Sequence, residues 1–144
     1  MSSSTRSRVH PKCVVCSCAN AKGLQVTFEV KEDGSVQANF PCDDAYEGYP
    51  GVLHGGVIAS ILDGAMGNCI FALGRAAVTV EMTTRFRHPV ITGRQAFVSA
   101  RIVQTSYPLY VLEAKIVQDG EIKATAQGKF YEQPDLVDML GLFS

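Results

Sequence analysis

His54, Gly55 and Gly56 stand in a row, and Asp63 follows nine positions after the histidine. These residue types, at this spacing, are candidates for a chemical role. The glycines fall where a helical pattern begins, and the first turn of any helix leaves backbone N–H groups unpaired at its positive end. Without side chains there, a ligand oxygen can approach those groups closely. That suits the oxyanion formed in acyl transfer, and it equally suits a tight turn. Asp63 lies about two and a half turns along. A mid-helix Asp forms helix poorly and is costly to bury unpaired. Such a residue faces water, pairs with an arginine across an interface, or is held as a catalytic carboxylate.

The elements that must position these groups are legible from periodicity. Leu24, Val26, Phe28 and Val30 alternate with polar residues, which predicts a half-buried strand. Glu32-Asp33-Gly34 is a turn signal, and residues 35–40 read as the returning strand. Residues 41–53 form a long loop rich in Gly, Pro and acidic side chains. Val57, Ile58, Ile61, Leu62, Ala65, Met66, Cys69, Ile70 and Leu73 then recur at helical spacing, with a stop near Gly74. The opposite face is nearly all small: Gly56, Ala59, Ser60, Asp63, Gly64, Gly67 and Asn68. It permits close approach by another backbone or by a ligand.

Four more strands follow, over residues 78–89, 95–104, 110–117 and 122–130, with Gln118-Asp119-Gly120 as a hairpin turn. Strands and helices do not alternate, which argues against a parallel doubly wound sheet. The order fits an α+β fold with one antiparallel sheet and a single long helix on one face.

Arg85, Arg87, His88 and Arg94 cluster around residues 89–93. Alternation puts Arg85 and Arg87 on the face opposite Phe86. They could hold the phosphates of an anionic ligand, or form a solvated face with cross-strand ion pairs. Cys13, Cys16 and Cys18 invite a zinc reading, but a zinc site usually takes four ligands, and Cys42 or His10 would have to complete the set. No metal and no cofactor are expected. Cys69 falls on the apolar helix face and reads as a core residue.

Composition narrows the class. The 144 residues suggest one domain, and 47% hydrophobic against 19% charged residues marks a globular chain. A formal net charge of −1 gives no case for nucleic acid as a partner. No apolar stretch is long enough to span a membrane, and residues 1–12 lack the apolar core of a secretory signal. A cytoplasmic protein with five free thiols is the expectation. Residues 1–21 read as a tail with a Cys-rich turn, its first twelve residues flexible. Residues 22–132 form the domain. Residues 133–144 form a tail whose apolar members, after Pro134, suit a short amphipathic turn.

The run Gly51-Val52-Leu53-His54-Gly55-Gly56, with Asp63 at its offset, resembles the signature of PaaI-like hotdog acyl-CoA thioesterases. The run from Thr79 through Glu81, Arg85, Phe86, Arg87, His88 and Pro89 to Gly93 is similar to that family, as is the last strand. The likeness covers roughly residues 23–132. It implies a hotdog fold, a sheet wrapped around the long helix, and a homodimer that often pairs into a tetramer. It places active sites between subunits and acyl-CoA, with a small aryl or medium-chain acyl group, as substrate. Gly55, helped by Gly56, would polarise the thioester carbonyl. Asp63 would act as general base or nucleophile, Thr79 would assist the water, and His54 would orient the helix start. At Glu47 some relatives carry an amide that donates to the thioester, which a carboxylate cannot do. That departure supports the rival reading, a non-catalytic hotdog protein that binds acyl-CoA or an aromatic ligand. A dehydratase would want its His–Asp pair placed differently.

Overall fold

The computed structural model describes residues 2–136, and side chains from residue 5 onward. A short helix, α1 (Ser2–Val9), opens the chain. Two strands follow, β1 (Glu29–Val30) and β2 (Val36–Pro41), and then the long helix α2 (Gly55–Phe71). Strands β3 (Ala77–Phe86), β4 (Gln95–Ser106), β5 (Leu109–Gln118) and β6 (Glu121–Glu132) complete the domain. All six strands form one antiparallel sheet in the order β1-β2-β4-β5-β6-β3. Helix α2 touches β2 through β6 and so lies across the sheet. This is the expected hotdog arrangement, with β3 as a ten-residue edge strand.

The core forms where the two periodicities meet. Ile58, Ile61, Leu62, Ala65, Met66, Cys69 and Ile70 are buried on α2. They meet Ala96, Val98 and Ala100 of β4 and Tyr110, Leu112, Ala114 and Ile116 of β5, the inward sets that alternation predicts. A fully buried aliphatic side chain of this kind contributes about 1.5–3 kcal/mol. The hairpin after β5 turns through Asp119 (φ 53°) and Gly120 (φ 76°), the paired positive angles a two-residue turn between twisted strands requires.

Four details depart from the periodicity. Residues 24–28 are not a sheet strand, although their alternating burial is real. Gln25 takes a positive φ of 55°, and Leu24 and Val26 donate their N–H groups to Val14 and Val15. The helix ends at Phe71, so Leu73 lies beyond it and is 52% exposed. The register of β5 against β6 shifts between Ile116 and Val117, where Val117 pairs with Ile122 and Lys123 has no partner of its own. That bulge leaves Ile122 exposed and turns Lys123 inward. Finally, residues 2–9 are helical and α1 lies against α2, where a flexible tail is the sequence expectation. The apolar tail after Leu136 falls outside the described residues.

Candidate active site

The loop before α2 is bonded back on itself and so fixes the helix start. Asp43 caps a short helical turn at Asp44–Tyr46, the Tyr46 hydroxyl donates to Gly23 O at 3.0 Å, and His54 N donates to Tyr46 O at 2.9 Å. Leu53 N donates to Val90 O at 2.9 Å, tying this loop to the turn after β3. That turn is held in its place by Gln118, which is fully buried. Its amide accepts from Ile91 N and donates to Ile91 O, both at 2.8 Å. The sequence reads Gln118 as the first residue of the hairpin turn, whereas it is the last residue of β5, a polar side chain at a buried phase.

His54 is the N-cap of α2, and its Nδ1 accepts the Gly56 N–H at 2.8 Å. A side chain at Gly56 would crowd that ring, with its Cβ 3.1 Å from Nδ1. The two glycines therefore separate in role. The Gly56 N–H is used by the cap, while the Gly55 N–H has no acceptor among the described residues. Gly55 borders a groove of about 390 Å³ lined by Tyr49, His54, Ile58, Phe86, Arg87 and His88, among others.

Farther along the helix, the half-buried Asp63 accepts a hydrogen bond from Thr79 Oγ1 at 2.5 Å. Thr79 is on the edge strand β3, just before the register shift between Thr79 and Glu81. This contact joins the two catalytic candidates that sequence spacing alone leaves on separate elements.

The basic candidates are divided. Arg87 and His88 line the groove. Arg85 faces a separate hollow of about 640 Å³ on the open side of the sheet, with Arg101 and Lys115, as the alternation against Phe86 predicts, and Arg87 borders both hollows. Arg94 is drawn away by Asp119, at 2.8 Å, and borders a different depression near Cys42 and Thr92. His88 sits 3.6 Å from Glu121. Glu47 Oε2 accepts from Gly51 N at 3.0 Å and holds the loop's turn. It does not line the groove.

The small face of α2 is also divided. Gly64 lies under Val15, and a Cβ there would come 2.7 Å from Val15 Cγ1. Asn68 is buried, and its side-chain amide donates to Gly64 O at 2.8 Å. Metal-type donors come together in one place among the described residues, at His10, Cys13 and Cys16, outside the groove.

Residues 50–125, just over half of the chain, match the model of the thioesterase superfamily. The chain belongs to that superfamily. The match bears out the expected class, a thioester hydrolase of hotdog fold. Among solved structures, a thioesterase superfamily protein is 27% identical, with a TM-score of 0.76 over 81% of this chain. This chain spans 61% of that longer one. The PaaI protein of the E. coli phenylacetic acid degradation operon shares the fold, at 23% identity and TM-score 0.73 over 80% of this chain and 84% of its own. A Streptococcus mutans protein bound to acetyl-CoA also shares it, at 21% identity and TM-score 0.71 over 76% of this chain and 89% of its own. Among the described residues, no helix is long and apolar enough to cross a membrane.

Proposed function

We propose that the protein hydrolyses acyl-CoA thioesters with a small aryl or medium-chain acyl group, at sites completed between two copies of the chain. The carrying observation is the Asp63–Thr79 pair on the helix side of a sheet edge. Gly55 and Asp63 are eight residues apart on one helix, or about 12 Å along its axis. A thioester carbonyl must lie about 3 Å from both its oxyanion donor and its attacking water. One chain therefore supplies the donor and the other the carboxylate.

The edge strand β3 is the natural join. Among the described residues its outer edge is unpaired, and Val78, Val80 and Phe86 are exposed along it. Pairing β3 with β3 of a second copy covers that edge and extends the sheet. Two such dimers then associate, as the likeness to the family implies. Light scattering tests both steps.

In the reaction, the Gly55 N–H receives the negative charge that grows on the thioester oxygen. Asp63 Oδ1 is held by Thr79, which leaves Oδ2 to take a proton from water as the water oxygen bonds to the acyl carbon. The tetrahedral intermediate collapses, the C–S bond breaks, and the proton returns to the thiolate. Acid and thiol leave. Arg87 and His88 lie beside Gly55 and suit the phosphates of CoA.

The test is thiol release from a panel of aryl- and fatty-acyl-CoAs by the wild type and by Asp63→Ala. No turnover on any substrate, or equal turnover by both, would sink the proposal. One observation favours a second reading. Glu47 accepts a bond from Gly51 and offers the thioester no donor. A non-catalytic acyl-CoA binder of this fold would bind the same panel without releasing thiol.

A further inference from the structure

We propose that His10, Cys13 and Cys16 form a site for one thiophilic divalent metal ion of the zinc type, which fastens the N-terminal segment to α2. The ring nitrogen of His10 and the two sulfurs lie within 4.8 Å of one another. Zinc bonds to sulfur at about 2.3 Å and to nitrogen at about 2.0 Å, so tetrahedral donors stand roughly 3.6–3.8 Å apart. Closing this set onto an ion takes side-chain movements of about an ångström. The expectation of no metal arises because the spacing of Cys13, Cys16 and Cys18 supplies no fourth ligand. In the folded chain His10 takes the third place, and Cys18 turns away toward Thr27 Oγ1, 3.9 Å from it.

The turn is built to hold a thiolate. Val15 N and Cys16 N both donate to Cys13 Sγ at 3.3 Å. Backbone N–H groups aimed at one sulfur favour its charged form, which is the form that binds metal. The turn is further fixed by Cys13 N to His10 O (3.3 Å), Ser17 N to Cys13 O (3.2 Å) and the Ser17 hydroxyl to Pro11 O (2.7 Å).

Its surroundings fix the donors as well. Cys16 is buried, and the His10 ring packs edge-on against Phe71 at 4.8 Å. Arg6 reaches His10 O at 3.1 Å and Cys16 Sγ at 3.8 Å, so it can act as an outer partner to a coordinating sulfur. Two thiolates and a neutral imidazole balance a doubly charged ion. A nitrogen and sulfur set selects a zinc-like ion over hard cations such as magnesium and calcium. His10 is exposed and Cys13 half-buried, so the fourth position opens to water. The site does not depend on the thioesterase reading. It bears on that reading physically, because Val15, inside the turn, rests on Gly64 beside Asp63.

The experiment is titration of the reduced, metal-stripped full chain with cobalt(II) and then zinc(II). The expected result is one ion per chain, with a sulfur-to-cobalt charge-transfer band and the intense visible bands of a tetrahedral ion, both removed by zinc. Cys13→Ser and Cys16→Ser should each lose the charge-transfer intensity and weaken binding roughly a hundredfold, and His10→Ala at least tenfold. Cys18→Ser should match the wild type. Zinc should raise the melting temperature of the wild type and leave that of Cys13→Ser unchanged. Absence of a charge-transfer band at saturating cobalt in the wild type overturns the proposal, whether or not the variants fold. So does a band that survives in folded Cys13→Ser and Cys16→Ser.

Discussion

The two halves of α2 are made of the same small residues and have opposite surroundings. In the first half, Gly55 borders an open groove and Gly56 is covered only by the ring of His54. In the second, Gly64 is pressed by Val15, and Asn68 is buried beneath the N-terminal segment. A small residue marks a place of close approach, and composition does not say what approaches. On one half it is a ligand, in the proposed mechanism. On the other it is the chain's own N-terminus. Asp63 lies at the boundary between them.

The sharpest way to test the open half is Asp63→Ala. Thiol release should fall by about 10²–10⁴-fold, the usual worth of a positioned base, with little change in melting temperature. Undiminished release would place the chemistry elsewhere. Alanine at the two compared glycines should then give opposite results. At Gly55 an added Cβ meets only Phe86, at 3.6 and 3.8 Å, so Gly55→Ala should keep its stability. It should still lose roughly 10–100-fold in turnover, because it intrudes where the carbonyl must sit. At Gly64 the methyl collides with a buried Val15, whose carbonyl is tied to Val26 N at 2.8 Å. Denaturant unfolding of Gly64→Ala should show a loss of about 1–3 kcal/mol, as overpacking gives. Equal behaviour of the two variants in both assays would erase the distinction.

Smaller effects follow. His54→Ala removes the acceptor of the Gly56 N–H and should cost about 1 kcal/mol of stability, measured the same way. The least change is expected at Cys69, on the covered half. Burial pushes its thiol up to about 12, so at pH 8 it stays protonated. Iodoacetamide followed by mass spectrometry should label exposed Cys18 and leave Cys69 untouched until the chain unfolds.

Much of this was legible in the chain. The inward phases of β4 and β5, the start of α2 and the turn at Asp119 and Gly120 follow from period and turn chemistry, which are local properties. The family match over residues 50–125 bears out the thioesterase resemblance. Where the periodicity misleads, a non-local contact is responsible. Residues 24–28 alternate like a strand, yet they bond to Val14 and Val15 instead of to the sheet. Ile122 has the right phase for the core, and the bulge at Lys123 turns it out. Arg94 belongs to the basic cluster by sequence, and Asp119 across the turn takes it.

The sequence by itself determined the elements from β2 onward, the sheet's inward face, and a helix that opens with two glycines and carries an acid. These depend on residues a few positions apart, whose geometry the backbone dictates. Only the tertiary structure decided that Thr79 donates to Asp63, that His54 occupies Gly56 and leaves Gly55 free, and that His10 meets Cys13 and Cys16. The Thr79 contact spans sixteen residues and depends on how helix and sheet settle on a shared core. The contacts of His54 and His10 are close in sequence, but they depend on loop conformations that the packing of distant segments against α2 selects.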